Sequence, residues 1–524
     1  MAVAELLSRA QLGLTAPLVH VEVHVGAGLP GTTIVGLPAP VVRESRERVR
    51  AALLNSGFDF PPGRITINLA PVELLKEGGR YDLPIALGLL MASDQLRVPA
   101  ALLPVESLGE LGLDGALKGV AGLLLAAVHA ARSGHCLVVP EANLADARRA
   151  GCGRVVAAAT LQAICAALQA GALSGEAATK GLPGATGANA AGHFAADTTE
   201  GGTLLDDIVG QAQPKRALLI AAAGGHSLLM TGPPGSGKSL LAACLPQLLP
   251  DLSPEEALEV ASIASIAGPQ DAGRAGSGGA DAGRRPFRAP HHTASAHAIV
   301  GGGPSVRPGE ITLAHRGVLF LDELPEYDRR VLESLREPLE TGRICIARAA
   351  QRLELPAGFQ LVAAMNPCPC GYLGDARQEC RCGQRRVERY RARISGPLLD
   401  RIDLRIEVPR LDPAELLIPR APCTAAQNAA RRRVAAARQL QQARRGCLNA
   451  QLGVAQMQEC CALGPTAERL LARSLEQMNL SARGVHRVLR VARTIADLDG
   501  AERLEPAHVA EAIQLRRMPA GGAQ

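Results

Sequence analysis

The chain opens with short stretches in which apolar and polar residues alternate, the two-residue period of a strand with one buried face. Residues 19–25 and 63–69 follow that period, while 43–54 changes to helical spacing. An unbroken apolar segment at 82–91 predicts a buried helix, and 136–139 predicts a short buried strand. Together these predict an α+β domain over 1–170. Residues 171–204 are rich in Gly, Ala and Thr without any period, and they read as a flexible linker. From 205 to 410 strand-like and helical stretches alternate, the pattern of a mostly parallel α/β sheet. Its apolar runs at 227–230, 318–321 and 360–364 are candidate central strands. Residues 411–524 read as a small all-α lid. The expected fold class is therefore multi-domain α/β.

Composition narrows the function classes. The 524 residues contain no Trp, 4 Tyr and 6 Phe, so base-stacking platforms for a single strand are scarce. Charge is segregated: 15 basic against 17 acidic residues in 1–200, and 41 against 33 in the remainder. A polyanionic partner would meet the later part of the chain, through phosphate contacts rather than base readout. The start has no secretory pattern and no apolar run is long enough to span a bilayer, so a soluble, cytoplasmic protein with no membrane partner is expected. The 13 cysteines do not read as a secreted disulfide framework.

One segment carries the most chemistry. Gly232-Pro233-Pro234-Gly235-Ser236-Gly237-Lys238-Ser239 follows an apolar run and precedes a helical one. Such glycines let backbone N–H groups converge on phosphates at a helix N-terminus. The lysine reaches the β- and γ-phosphates, and the serine hydroxyl holds Mg²⁺. The run 318–321 ends in Asp322 and Glu323. Asp322 would bind Mg²⁺, directly or through water, and Glu323 would polarise the attacking water. A lone Asp after a strand is also a common helix cap; its distance from the phosphate loop favours the metal role. Asn366 ends the next apolar run, where an amide can position that water, although Asn before Pro is a frequent turn pairing.

Arg401 stands between Asp400 and Asp403. Alone it reads as a solvated surface arginine; in a ring ATPase it is the kind of residue that reaches the neighbour's site. Arg483, Arg487, Arg490 and Arg493 recur at steps of three and four. They form either a solvated amphipathic face or a face from which one arginine touches the γ-phosphate. Cys368, Cys370, Cys380 and Cys382 suit a structural Zn²⁺, yet their one-residue gaps are tighter than usual, and two free-thiol turns are the alternative.

These motifs resemble, over almost the whole chain, the ComM/YifB family of magnesium-chelatase-like AAA+ ATPases. That family is related to the magnesium chelatase ATPase subunit and to the replicative MCM helicases. Further matching segments are Phe-Arg-Ala-Pro-His-His-Thr-Ala-Ser at 287–295, Asn-Pro-Cys-Pro-Cys-Gly at 366–371, 396–403 and 480–487. The resemblance implies ATP and Mg²⁺ as cofactors and a homo-hexamer. It makes Asn366 sensor 1, Arg401 the arginine finger and Arg487 sensor 2, with Arg483 the alternative. It also implies that 287–295, with Arg288, points into the ring channel. The hairpin at 344–355 would offer Arg348 and Arg352 to DNA phosphates.

Residues 1–170 resemble the proteolytic domain of Lon, a ribosomal-protein-like fold. The segment 75–82 matches the one that carries the Lon nucleophilic Ser, but Arg80 stands there, and the catalytic Lys position falls on Leu124. A domain without that dyad cannot run the Lon reaction, so no protease is expected. The function implied is an ATP-dependent motor on single-stranded or branched DNA, without sequence specificity, resembling the branch-migration helicase of natural transformation. The alternative is a Mg-chelatase-like ATPase or chaperone that remodels a protein partner. Such a remodeller usually carries an aromatic pore loop, and the chain offers no convincing one.

Overall fold

A computed structural model describes residues 2–174, 204–267, 283–302, 307–347, 352–375, 377–411, 424–478 and 481–517. The expected linker lies almost wholly outside the described residues, and so does Arg348. The chain divides into two compact units. One is built from residues before the linker together with the segment from 261; the other is built from the rest.

In the first unit seven strands form one sheet. Their order is Gly31–Val35, Arg64–Ala70, Leu18–Gly26, Ala2–Arg9, Val105–Ser107, Cys136–Pro140 and Val155–Ala158. The two-residue period explains the central pairing. Val19, Val21 and Val23 are buried on one face of Leu18–Gly26, as are Ile65, Ile67 and Leu69 on its antiparallel neighbour. The helix Asp82–Ala92, apolar all round and buried along nearly its whole length, packs on Ala2–Arg9 and Leu18–Gly26. Its first residue, Asp82, is fully buried and accepts hydrogen bonds from both Nε (2.9 Å) and NH2 (3.1 Å) of Arg48 on the helix Pro40–Asn55. The pairing lets a carboxylate sit in the core without a lone charge. Strand Ala2–Arg9 carries no strict alternation and had no signal in the sequence.

The second unit is centred on five parallel strands in the order Phe287–Arg288, Val318–Leu321, Gln360–Met365, Leu228–Thr231 and Leu404–Glu407. The three central ones are buried at every position, which is why they read as continuous apolar runs rather than alternating ones. Helices Ala212–Gly224 and Lys238–Leu248 share one apolar core with this sheet and with the later helices Ala425–Arg445, Ala482–Leu498 and Pro506–Gln514. Every regular element described after residue 424 is helical, and buried apolar residues of these helices join the core that the sheet lines. Arg343–Ala347 pairs antiparallel with Arg352–Pro356, forming the expected hairpin. No described helix is long and apolar enough to cross a membrane.

Candidate ATP site and an arginine-lined edge

All five strands of the second sheet run the same way, so the sheet has a C-terminal edge and an N-terminal edge. The phosphate loop leaves the C-terminal edge after Thr231. Gly235 and Gly237 have φ of +74° and +90°, a region closed to most side chains, and the helix Lys238–Leu248 starts directly after them. The Lys238 Nζ donates to the carbonyls of Gly232 and Pro233, both at 2.8 Å, and to Asn366 Oδ1 at 3.3 Å. Burial lowers its pKa, while Asp322 and Glu323 pull it upward. The Ser239 hydroxyl donates to Asp322 Oδ2 at 2.9 Å.

The sheet order explains this convergence. Val318–Leu321, Gln360–Met365 and Leu228–Thr231 are adjacent, so Asp322, Asn366 and the loop meet at one edge. The residues fit MgATP by two observations. A hard-oxygen pair, Ser239 and Asp322, is already assembled. The cation on Lys238 is satisfied only by neutral oxygens, which phosphate oxygens would outcompete. In addition, Ser236 Oγ is buried without a partner.

Three residues around the loop show features that the linear sequence does not signal. Gln211, buried at φ +52°, donates through Nε2 to the carbonyls of Ser236 (3.3 Å) and Pro409 (2.7 Å) and so braces the loop. Glu323 is itself left-handed at φ +52°, a strained backbone for a glutamate, and its carboxylate lies 3.1 Å from His292 Nδ1. Gly371, at φ +87°, packs so close to Pro234 that an added Cβ would come within 2.6 Å of it.

Gly371 belongs to the turn of the cysteine cluster. Cys368 Sγ lies 3.3 Å from Cys370 and 3.6 Å from Cys380, and the four sulfurs, Cys382 included, all fall within 4.8 Å of one another. This cluster could hold a metal ion, and its donor set is that of a tetrathiolate site. The turn follows Asn366 by two residues and abuts the phosphate loop.

The arginines gather at the other edge. Asp403 precedes Leu404, beside Ser227 and the start of Leu228–Thr231. Arg487 forms an ion pair with Asp403 and donates to the Arg401 carbonyl at 2.9 Å. Burial alone would raise the Asp403 carboxyl, but His226 and Arg487 together hold it well below the usual carboxylate range. Arg401 is buried, not a solvated surface residue. It pairs with Glu340 at 2.6 Å and donates to Pro397 O at 2.8 Å, and its Nε has no partner. Arg483, more exposed, lies 3.8 Å from the same glutamate. A cavity of about 860 Å³ opens here, lined by Arg401, Arg483, Arg487, Arg490 and Arg438 among others. Burial, and then the nearby Arg285, push the Arg438 guanidinium below its ordinary value, while Glu256 acts in the opposite direction.

Strands of four to six residues rising about 3.3 Å each separate the two edges by roughly 13–20 Å. Within one chain, therefore, Arg401 and Arg487 do not reach the phosphate loop beside Lys238. The arginine face of Ala482–Leu498 is solvated only at its start: Arg483 is exposed, Arg487 and Arg490 are half-buried, and Arg493 is buried against Asp497.

The expected DNA contacts divide as well. Arg288 is a correction. It is buried and clamped by both oxygens of Glu310, at 2.6 and 2.8 Å, so it is not free to grip a phosphate. It occupies the sheet strand Phe287–Arg288, where a charge must be paired to be buried. Arg352 opens the returning strand of the hairpin, opposite Ala347. In the first unit, Arg80 is buried and donates to Gln11 Oε1 (2.6 Å) and Ala121 O (3.1 Å). That puts it beside the turn into the helix Leu123–Ser133, which carries the buried Leu124.

The sequence families described as magnesium chelatase, subunit ChlI; subunit ChlI of Mg-chelatase; and magnesium chelatase, subunit ChlI C-terminal match residues 204–416, 21–143 and 425–516 respectively. The chain is 44% identical over 510 residues to the protein YifB of Escherichia coli, described as uncharacterized, covering 97% of this chain and 96% of that one. It is also 44% identical over 520 residues to the competence protein ComM of Haemophilus influenzae, covering 99% and 98%.

Proposed function

The chain belongs to the magnesium-chelatase ChlI-type family of AAA+ ATPases that includes YifB and ComM, and on that premise we propose that it is a ring-forming, ATP-driven motor on DNA. Lys238 and the loop N–H groups bind the β- and γ-phosphates. Ser239 and Asp322 hold Mg²⁺, which when bound neutralises charge on the transferred phosphoryl oxygens. Glu323 polarises the attacking water and Asn366 orients it.

The observation that carries the ring is the division of the sheet into two edges. One edge carries the phosphate site, and around the cavity at the other the arginines outnumber the carboxylates that pair with them. In a closed head-to-tail ring each Arg401 and Arg487 meets the neighbour's γ-phosphate, and six copies are the proposed closure. Relief of the arginine crowding by that phosphate favours assembly with ATP bound.

DNA as the track is supported by the competence protein among the relatives and by the net positive charge of the later chain. The hairpin with Arg348 and Arg352 is its grip, on single-stranded or branched DNA without base readout. The site of action is the cytoplasm, where ATP is supplied and thiols stay reduced. Zn²⁺ occupies the cysteine tetrad as a structural ion.

The test is ATP turnover of the purified full chain with and without single-stranded, double-stranded and branched DNA. DNA should stimulate turnover. The stimulation should fall with salt, with a log–log slope of about 0.7 to 0.9 per neutralised phosphate. Arg352→Ala should flatten that slope while basal turnover survives. Turnover indifferent to every DNA form, in an assembled ring, would favour remodelling of a protein partner instead.

A further inference from the structure

The strand Leu228–Thr231 leads into the phosphate loop at one end, and at the other end its two preceding residues grip the segment that carries Arg401. The Ser227 hydroxyl donates to the Arg401 carbonyl at 2.9 Å and accepts from the Asp403 N–H at 3.0 Å. The Ser227 N–H and His226 Nδ1 meet one and the same oxygen of Asp403, Oδ2, at 3.3 and 3.2 Å. A carboxylate only accepts, so Nδ1 is a donor. His226 is fully buried. Its other ring nitrogen lies 2.8 Å from the hydroxyl of Thr494 on the helix Ala482–Leu498, which also carries Arg487. Gly224 leaves room for this contact, since a Cβ there would come within 2.3 Å of the imidazole and 2.5 Å of the Thr494 hydroxyl.

The other oxygen of Asp403, Oδ1, is left for Arg487. The arginine meets it through Nη1, the same atom that donates to the Arg401 carbonyl at 2.9 Å. Nε and Nη2 of Arg487 have no hydrogen-bond partner among the described residues, and the side chain lines the cavity of about 860 Å³. When both oxygens of a carboxylate are free, an arginine readily closes on it side-on through two parallel N–H donors. That closure would turn the rest of the fork toward Asp403 and away from the cavity. With Oδ2 taken by His226 and Ser227, Asp403 holds Arg487 by one nitrogen and leaves two for an anion.

We propose that His226 is a positioning residue for the neighbour's ATP: by occupying one oxygen of Asp403 it keeps the fork of Arg487 open for the γ-phosphate bound in the adjacent copy. The proposal rests on the reading above in which Arg401 and Arg487 act in trans. His226 stands shortly before the phosphate loop in the chain, yet it serves the site of the next copy rather than its own.

The experiment measures kcat, KM and binding of a fluorescent ATP analogue on the full chain in His226→Ala, His226→Asn and His226→Gln, alone and in mixed rings. His226→Ala should lower kcat by about 10- to 100-fold, the upper end being the cost of a misplacement of about 1 Å, with KM and analogue affinity unchanged. Asn carries its amide nitrogen where Nδ1 stands, so His226→Asn should recover most of the lost rate. Gln carries it where Nε2 stands, so His226→Gln should behave like His226→Ala. Mixed with Lys238→Ala, whose arginines are intact, His226→Ala should regain part of the rate. Mixed with Arg401→Ala it should regain none, because both lack the same edge. A merely structural role would damage both edges and give no recovery with either. A wild-type kcat in His226→Ala, or analogue affinity that falls together with kcat, overturns the proposal. So does a mixture with Lys238→Ala that regains nothing while Arg401→Ala with Lys238→Ala does, and the trans reading then stands. If that reference pair also regains nothing, both fall. Should His226→Ala not fold, the contrast between the Asn and Gln variants decides, and equal rates overturn the proposal.

Discussion

The two edges of the five-stranded sheet balance charge in opposite ways. At the C-terminal edge the cation Lys238 is held by neutral oxygens, beside a carboxylate paired with a hydroxyl. At the N-terminal edge several guanidinium groups share a few carboxylates: Arg401 and Arg483 both turn to Glu340, and Arg487 takes Asp403. One edge has room for phosphate and the other has an excess of cations. A parallel sheet cannot fold back to join them, because its strands hold the edges a strand length apart. The difference teaches why the proposed reading completes the catalytic set between two copies of the chain.

The largest effect should come from breaking the C-terminal edge. Lys238→Ala should abolish ATP binding and, with it, turnover. Glu323→Gln should leave binding intact and lower turnover by about 10²-fold or more, the scale of losing a residue that acts on the reacting centre. Equilibrium binding of a fluorescent analogue beside steady-state hydrolysis separates the two, and normal turnover in Glu323→Gln would remove Glu323 from its role.

Breaking the N-terminal edge should cost less in binding and nearly as much in rate. Arg401→Ala should lower kcat by about 10³-fold, the low end for an arginine supplied in trans, with ATP still bound. Mixing Arg401→Ala with Lys238→Ala should restore part of the rate, since some interfaces then pair an intact loop with an intact finger. Mixed rings that form but regain nothing would place Arg401 elsewhere in the mechanism.

A smaller effect sharpens the contrast. The cysteine turn abuts the phosphate-loop edge through Gly371 and Pro234. Elemental analysis of untagged protein should find one Zn²⁺ per chain. Cys370→Ser with Cys380→Ser should remove it and weaken ATP binding by about tenfold, on the scale of lost support around a metal site. The same protein should still supply Arg401 in the mixing experiment. Metal-free wild type with full ATP affinity would favour free thiols.

Much of the phosphate-loop edge is legible in the linear chain. Gly232 to Ser239 and the Asp322-Glu323 pair are local patterns whose chemistry depends on a strand before and a helix after, and the apolar runs at 227–230 and 318–321 supply the strand. Gln211 carries no such signal, because its place depends on contacts with Ser236 and Pro409, far away along the chain. Arg288 misleads for the same reason, because its partner Glu310 is 22 residues on and nothing local marks the pair as buried.

The sequence by itself determined the central strands of the second sheet, the phosphate loop and the residue types available for hydrolysis, because periodicity and turn chemistry act within a few residues of the chain. Only the tertiary structure decided which edge each residue serves. It set Arg401 and Arg487 behind the sheet, put Arg288 into its core, and brought the cysteine turn against Pro234. Strand order and side-chain burial follow from how the whole apolar core closes, and that closure couples positions the linear pattern leaves independent.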